Sequence, residues 1–222
     1  MTAATAGLEV TGLRAPRDGV LLEVPRLHVA RGECAVLAAP GGTGKTLLAA
    51  ALAGHLAAAG EVRCAGRPCA GSPSRRRRAG LAAVVQGRPR LDGCSVAEAL
   101  GLAATGSRTA AAAIDLLPAL GALAARPART LSGGEHQLLR IACAWLAVAG
   151  ALVLDTPTDG LAEPLAAAVR DLARAEAGRG AAVLWLDQPG AVLPAPPSLE
   201  IVGAEVRALA GPGTASSRPA GG

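Results

Sequence analysis

Hydrophobic and polar positions alternate along residues 8–13 and 20–29, which is the spacing of strands with one buried face. A continuous apolar run over residues 34–38 predicts a third, fully buried strand. A glycine-rich loop follows directly. Alanine and leucine then dominate residues 45–57, which predicts a helix that stops near Gly60.

The middle of the chain changes from strands to helices. Residues 61–65 and 81–85 predict strands, and the Gly-, Pro-, Ser- and Arg-rich residues 66–80 between them predict a loop. From Gln86 to Ala151, apolar positions recur at helical spacing and no strand is predicted. The predicted helices cover residues 95–104, 110–121 and 134–148.

Strands and helices alternate again in the last third of the chain. The predicted elements are strands at 151–155 and 181–186, a helix at 163–177, and a hairpin of 199–202 and 205–209 around Gly203. Gly, Pro, Ala and Ser fill most of residues 211–222, which predicts a disordered tail. The alternation predicts an α/β fold with a mainly parallel sheet, N-terminal antiparallel strands and an inserted helical subdomain.

The composition fits one folded domain and selects no partner. The chain has 222 residues, of which 51% are hydrophobic and 18% charged, enough for a sizeable core. Its net charge of +5 is compatible with nucleotides, nucleic acid or a membrane surface. The longest apolar run, residues 141–154, is too short to span a bilayer, and no signal peptide is apparent. The five cysteines have neither Cys-x-x-Cys nor zinc-site spacing, and their odd number without a secretion signal predicts reduced thiols in a cytosolic protein.

Residues 39–46 read Ala-Pro-Gly-Gly-Thr-Gly-Lys-Thr, close to the pattern G-x-x-x-x-G-K-[ST] between a strand and a helix. Glycines let backbone N–H groups surround phosphate oxygens, and the helix start adds the positive end of its dipole. Lys45, the only lysine of the chain, would reach the β- and γ-phosphates, and the Thr46 hydroxyl would ligate Mg²⁺. The predicted nucleotide contacts are Pro40, Gly41, Gly42, Thr43, Gly44, Lys45, Thr46 and Leu47.

Ala39 stands where this pattern has its first glycine, which would weaken binding slightly if the backbone there needs an unusual φ. The alternative interpretation is a glycine-rich turn that holds a lysine by chance, and the flanking strand and helix argue against it. By itself, the motif indicates only a P-loop nucleoside triphosphatase.

Residues 131–137 read Leu-Ser-Gly-Gly-Glu-His-Gln directly before a helix, and this resembles the LSGGQ signature of ABC ATPases. Residues 84–86 resemble the Q-loop of that family, and residues 151–162 resemble its Walker B strand and D-loop. The resemblance, which extends over residues 8–210, is to the ATP-binding subunits of ABC transporters. It implies one domain over residues 1–210, with a P-loop core at 1–88 and 149–210 and a helical signature subdomain at 89–148.

The signature predicts an anion site. Ser132 can cap the following helix, and Gly133 and Gly134 leave N–H groups exposed at its positive end. The resemblance implies that this site, with Glu135, contacts the γ-phosphate of ATP held by a second ATP-binding subunit. Each ATP would then lie between two subunits, which a homodimer or a heterodimer would both satisfy.

The resemblance also assigns the metal site. Asp155 ends the run Ala-Leu-Val-Leu-Asp and would hold Mg²⁺ through its water shell. Gln86 would sense both Mg²⁺ and the γ-phosphate. The implied metal site is therefore Thr46, Gln86 and Asp155.

Three positions depart from the family pattern. Thr156 stands where a glutamate polarises the attacking water, Asp187 where a histidine contacts the γ-phosphate, and Ala162 where the D-loop has an aspartate. A threonine hydroxyl is no general base near neutral pH, and losing a positioned base lowers a rate by roughly 10²–10⁴. A second hypothesis makes Asp187 the replacement base. We expect ATP binding to be kept and hydrolysis weakened, with Gln86, Asp155, Thr156 and Asp187 as the catalytic positions.

The motifs together imply an ATP-binding subunit that couples ATP binding and hydrolysis to substrate movement by a separate membrane permease. It would act in the cytoplasm, peripherally on the inner face of the cell membrane. The alternative is a catalytically impaired ATP-binding module that completes the active site of a different, competent subunit. The transported substrate and its direction of movement depend on the permease.

Three further features are expected to be structural. Residues 74–78 read Ser-Arg-Arg-Arg-Arg and are expected to form a solvated loop, because no aromatic residues accompany them to stack on bases. No nucleic-acid partner is expected. Trp145 and Trp185 lie in apolar patterns and are expected in the core, whereas His136 is expected to be exposed on its helix.

Overall fold

The computed structural model describes residues 6–17, 20–87, 91–148, 150–202 and 205–208. The strands are β1 (Ala6–Arg17), β2 (Val20–Ala30), β3 (Cys34–Ala38), β4 (Ala59–Cys64), β5 (Arg67–Pro68), β6 (Leu81–Val84), β7 (Ala151–Asp155), β8 (Ala182–Asp187), β9 (Leu199–Val202) and β10 (Glu205–Ala208). The α-helices are α1 (Lys45–Ala53), α2 (Pro73–Arg78), α3 (Val96–Ala103), α4 (Ala110–Leu116), α5 (Gly133–Ala147) and α6 (Glu163–Gly178).

These strands join one sheet in the order β5-β4-β1-β2-β10-β9-β3-β8-β7-β6. The pairs among β1, β2, β4 and β5 are antiparallel, whereas β9, β3, β8, β7 and β6 run parallel. Strand β10 is parallel to β2 and antiparallel to β9, so it joins the two halves. Helices α3, α4 and α5 lie in the chain between β6 and β7. The predicted α/β fold, with antiparallel N-terminal strands, a parallel sheet and a helical insert, is confirmed.

The parallel strands are buried on both faces, because successive side chains of a strand point to opposite sides of the sheet. In β3, Leu37 belongs to the core that contains α1, whereas Val36 belongs to the opposite core with α5 and α6. Leu184 and Trp185 of β8 divide in the same way. Helices on both faces thus fix the carboxyl ends of the strands, from which the glycine-rich loop after β3 and the segments after β7 and β8 begin.

The region after the phosphate loop differs from the prediction. Helix α1 ends at Ala53 rather than at residue 57, because Gly54 takes a left-handed conformation (φ 77°) that caps the helix. Gly60 lies within β4 and does not stop the helix.

The arginine-rich run forms α2 instead of the predicted loop. Pro73 lies in the first turn, where a missing N–H removes no helical hydrogen bond. Arg76 is buried, and its guanidinium donates to the carbonyl oxygens of Leu52 (3.0 Å) and Gly71 (3.2 Å). The prediction that the run is solvated is therefore wrong for Arg76, which ties α2 to the end of α1.

The helical insert also differs in detail. The predicted helix over residues 110–121 is divided, because Pro118 cannot continue the helical hydrogen bonding: α4 ends at Leu116 and a 3-10 helix covers Pro118–Leu123. The expectation that His136 is exposed is wrong. Its ring is buried, and Nε2 accepts a hydrogen bond from the N–H of Leu91 (3.2 Å).

Other expectations concern the thiols, the tryptophans and the C-terminus. The five cysteines are unpaired, and both tryptophans are buried as predicted. Within the described ranges, no helix is long and apolar enough to cross a membrane. Gly203 and the tail at 211–222 lie outside the described residues.

Candidate functional site

Three neighbouring parallel strands end at the same edge of the sheet, and each leads into a predicted site segment. The phosphate loop follows β3, Asp155 ends β7, and Asp187 ends β8, which lies between the other two strands. Loops at the carboxyl ends of parallel strands are the usual place for a ligand in an α/β sheet. The topology therefore brings the predicted phosphate and metal residues together.

The phosphate loop turns through glycines into the first turn of α1. Gly42 (φ 80°) and Gly44 (φ 101°) both need the left-handed region, and α1 begins at Lys45. The Lys45 ammonium donates to the carbonyl oxygens of Ala39 and Pro40, the second at 2.7 Å. The Thr43 hydroxyl also donates to the Pro40 carbonyl (2.8 Å).

The outer residues of this loop are open to a ligand. Pro40, Gly41 and Gly42 are exposed, and the first N–H groups of α1 have no acceptor within the helix. Leu47 packs its side chain in the core, so only its backbone could reach a phosphate. Ala39 is buried and does not have a positive φ, so the replacement of glycine there causes no backbone strain.

Burial and two carboxylates act in opposite directions on the charge of Lys45. Its side chain is buried, and burial lowers the pKa of the ammonium below its ordinary value. The negative charges of Asp155 and Asp187 oppose this shift. The loop thus places the only lysine of the chain next to the two carboxylates that end β7 and β8.

Asp155 has one free oxygen where a metal would bind. The residue is fully buried, and its Oδ2 accepts a hydrogen bond from the backbone N–H of Gln86 (3.1 Å). Its Oδ1 is buried without a hydrogen-bond partner. Burial raises the pKa of this carboxyl group, against the effects of the Gln86 N–H, the Thr46 hydroxyl, Lys45 and Arg140.

This arrangement fits a magnesium ion that is held mainly by a nucleotide. Mg²⁺ prefers oxygen ligands and is usually bound by one or two protein groups together with phosphates and water. The free Oδ1 of Asp155 and the nearby Thr46 hydroxyl are such groups. Among the described residues, no three His, Cys, Asp or Glu side chains group closely enough to hold a metal by themselves.

Thr156 is strained and incompletely bonded. Its φ is 44°, which is a rare conformation for a β-branched residue. Its N–H donates to the Leu186 carbonyl (2.8 Å), but its buried Oγ1 has no hydrogen-bond partner. The side chain therefore points a free hydroxyl into the interior beside Asp155, and it supplies no carboxylate.

Asp187 is held firmly by its neighbours. Its two carboxylate oxygens accept hydrogen bonds from the Trp185 indole N–H (3.0 Å) and from the Gln188 N–H (2.8 Å). The residue is buried, so these two bonds are its main solvation. The hydrogen bond from Trp185 to Asp187 could not be predicted from the apolar pattern of this strand.

The signature residues begin α5 as a capped helix. The Ser132 hydroxyl accepts from the Glu135 N–H (3.3 Å), and the Glu135 carboxylate accepts from the Ser132 N–H (2.7 Å). Ser132 and Gly133 are exposed. A Cβ on Gly134 would come within 2.8 Å of the Gly160 carbonyl, so only glycine allows this approach of α5 to the loop after β7.

Two charged residues of this region were not predicted from the sequence. The Arg140 guanidinium donates to the Val85 carbonyl and to the Gln137 amide oxygen. The Asp159 carboxylate accepts from the Gln86 side-chain amide (3.3 Å). Their only sequence signal is charge beside a recognised motif, since Arg140 follows the signature by three residues and Asp159 follows Thr156 by three.

The combination of a glycine-rich loop, a lysine at a helix start and a strand-ending aspartate defines a P-loop nucleotide-binding protein. Residues 22–159 match the protein family described as ABC transporter. The chain therefore belongs to the ABC transporter family. No curated protein sequence matches the chain.

Solved structures show the same fold at low sequence identity. An ATP-binding subunit of an ABC transporter has a TM-score of 0.76 and 24% identity, over 90% of this chain and 88% of the other. A nucleotide-free ATP-binding cassette from an ABC transporter has a TM-score of 0.72 and 20% identity, over 91% and 90%. A bacterial Atm1-family ABC exporter with ATP bound has a TM-score of 0.73 and 16% identity, over 93% of this chain and 38% of the exporter.

Proposed function

We propose that the chain is the ATP-binding subunit of an ABC transporter and binds Mg²⁺ and ATP at the carboxyl edge of its parallel sheet. Phosphate would contact the loop and the first turn of α1, replacing the Ala39 and Pro40 carbonyls as partners of Lys45. The observation that carries this proposal is the free, buried Oδ1 of Asp155 beside Lys45 and Thr46. A buried carboxylate oxygen without a partner is costly to the fold alone, and a bound cation would satisfy it.

The working unit is a dimer of two ATP-binding subunits. The exposed phosphate loop would bind one face of ATP, and Ser132 and Gly133 at the start of α5 would offer N–H groups to the γ-phosphate of the partner's ATP. A homodimer and a heterodimer both satisfy this geometry.

A separate membrane permease is the second partner, and the chain would lie on the cytoplasmic face of the membrane through it. A groove of about 310 Å³ opens between α1, α2 and α5, lined mostly by apolar side chains with His55, Arg77 and Arg140 among them. Such a surface suits a short amphipathic segment with an acidic group. Arg140 also lines a second cavity, together with Gln86, Gly133 and Thr156, so this groove adjoins the loops that would surround the nucleotide.

The second candidate function is a catalytically impaired ATP-binding module that completes the site of a competent partner subunit. Thr156 carries no carboxylate, and its hydroxyl is buried. Asp187 is fixed by Trp185 and Gln188, which leaves its carboxylate little freedom to accept a proton from water as the replacement base. The signature would still serve the partner's ATP.

The test is steady-state Mg-ATP hydrolysis by the purified chain across protein concentration, with nucleotide binding measured on the same sample. Lys45→Ala serves as the blank. Binding without turnover would support the impaired module and direct the search to a competent partner. Turnover that rises with dimerisation and disappears in Lys45→Ala would instead identify an ordinary ABC ATPase. No binding above that of Lys45→Ala would refute both.

A further inference from the structure

Gln86 and the preceding residue, Val85, are held at three points by charged side chains from other elements. Its backbone N–H donates to Asp155 Oδ2 (3.1 Å), and the preceding carbonyl, that of Val85, accepts from the Arg140 guanidinium. Its side-chain Nε2 donates to Asp159 Oδ2 (3.3 Å). The first two contacts fix the backbone at residues 85 and 86, and the third holds the side-chain amide of Gln86 in one orientation.

Asp159 is placed for this contact by the turn that follows β7. Its backbone N–H donates to the Thr156 carbonyl (3.2 Å), which brings its side chain to the mouth of a cavity of about 400 Å³. Gln86, Gly133, Thr156 and Gly160 line the same cavity, and Asp159 is the only carboxylate among its described lining residues.

The chemistry of the two groups determines how the amide is oriented. An ionised carboxylate only accepts hydrogen bonds, whereas a glutamine amide has a donating nitrogen on one side and an accepting oxygen on the other. Asp159 can therefore bind only the nitrogen of Gln86. The Gln86 Oε1 is left as a free acceptor on the other side of the amide.

We propose that Asp159 is a positioning residue that selects the orientation of the Gln86 amide in which Oε1 is available to the Mg²⁺ of a bound nucleotide. This inference rests on the proposed function, because it concerns the same metal. Mg²⁺ takes oxygen and not amide nitrogen as a ligand, so the opposite orientation would remove a metal ligand.

The measurement is nucleotide binding titrated with free Mg²⁺, in the unaltered chain and in Asp159→Asn. Asparagine has the same shape but can accept from Nε2 or donate to Oε1, so it loses the preference. Partners of metal ligands typically change metal affinity by roughly 10–100-fold, and for this exposed pair we expect about tenfold more Mg²⁺ at half-saturation. Nucleotide binding in EDTA should not change. Asp115→Asn, on the exposed face of α4, is the matched control and should match the unaltered chain.

A double-mutant cycle separates orientation from the loss of a negative charge near the metal. In a Gln86→Ala background, Asp159→Asn should have no further effect on the Mg²⁺ half-point, because there is no amide to orient. The same tenfold effect in that background would overturn the inference in favour of general electrostatics. An unchanged Mg²⁺ half-point with lost turnover would also overturn it and would make Asp159 a general base. Absence of Lys45-dependent binding in the unaltered chain would instead overturn the proposed function together with this inference.

Discussion

The phosphate loop (residues 39–46) and the carboxylate edge, by which we mean Asp155 at the end of β7 and the following Thr156, differ in how completely their polar groups are hydrogen-bonded. In the loop, Lys45 and Thr43 donate to the loop's own carbonyls. At the carboxylate edge, Asp155 Oδ1 and Thr156 Oγ1 are both buried without a hydrogen-bond partner. They are the only such side-chain atoms among the described residues. Thr156 also has a positive φ.

This difference separates a region that folding alone explains from one that it does not. Unpaired buried atoms and backbone strain each raise the free energy of the folded state by roughly 1–3 kcal/mol, and they persist mainly at functional sites. In the phosphate loop, the Lys45 and Thr43 side chains have partners within the loop itself. At Asp155 and Thr156 the fold keeps two unpaired buried oxygens and one strained backbone position, and position 156 carries no carboxylate.

The largest expected effect is a gain of turnover in Thr156→Glu. If the missing carboxylate limits hydrolysis, a glutamate should raise the steady-state rate by roughly 10²–10⁴, the usual contribution of a positioned base. Thr156→Gln has the same length without the charge and is the control. Equal rates in these two variants would show that the absent carboxylate is not what limits hydrolysis.

The next effect tests whether Asp187 belongs to the site or only to the core. Trp185→Phe removes the indole N–H that binds Asp187 Oδ2, while the Gln188 N–H still binds Oδ1. The loss of a partner for this buried oxygen should lower the free energy of unfolding by about 1–3 kcal/mol. Because the negative charge of Asp187 raises the pKa of Lys45, a change at Asp187 should also change nucleotide affinity.

Trp145→Phe is a matched control for this variant. It removes an indole N–H from another buried carboxylate, Glu176, which keeps Arg108 and Arg179 as partners. Both variants should melt at lower temperature, but only Trp185→Phe should change nucleotide affinity. Equal affinity changes in the two variants would assign Asp187 to the core alone.

The two regions also differ in how far the sequence predicts them. The phosphate loop depends on local rules, since glycine spacing, a buried strand and a helix start lie within a dozen consecutive residues, and the sequence was sufficient to place it. The α/β fold followed likewise from strong periodicity. The ends of elements were less predictable. Two glycines, Gly54 and Gly60, follow the α1 sequence, and only the structure shows that Gly54 caps the helix.

The carboxylate edge depends on contacts between distant residues. The Asp159–Gln86 pair joins residues 73 positions apart, and Arg140 reaches Val85 across 55 positions. Trp185 is a core residue, as its apolar strand pattern predicts, but that pattern gives no sign that its indole N–H donates to Asp187. The sequence therefore allowed us to predict departures from the family pattern at single positions, but it gave no signal for the side chains that contact those positions.

A smaller effect should appear in the pH dependence of stability. Burial raises the pKa of Asp155 above its value of about 3.9 in the unfolded chain. For an acid with a raised folded-state pKa, the stability it contributes is complete below the unfolded pKa and is lost as pH rises through the folded pKa. Asp155→Asn should therefore become more stable relative to the nucleotide-free unaltered chain as pH increases from about 4.

Thermal melts of both proteins at several pH values, without nucleotide, provide the measurement. Asp171→Asn, an exposed aspartate on α6, controls for the loss of a surface charge and should show no such trend. A melting temperature of Asp155→Asn that falls relative to that of the unaltered chain as pH rises would mean that the hydrogen bonds and positive charges at Asp155 outweigh burial.

The smallest effect concerns the phosphate loop and uses the fact that Lys45 is the only lysine. Since burial lowers its pKa, acylation of the Lys45 amine should reach half its limiting rate below the ordinary lysine value of about 10.4. Peptide mapping separates Lys45 from the N-terminal amine, and the urea-unfolded chain gives the reference value. Because Asp155 raises the pKa of Lys45, Asp155→Asn should lower the midpoint further. A midpoint at or above the unfolded value would mean that the two carboxylates, rather than burial, dominate the charge of the loop, and the contrast between the two regions would then be much weaker.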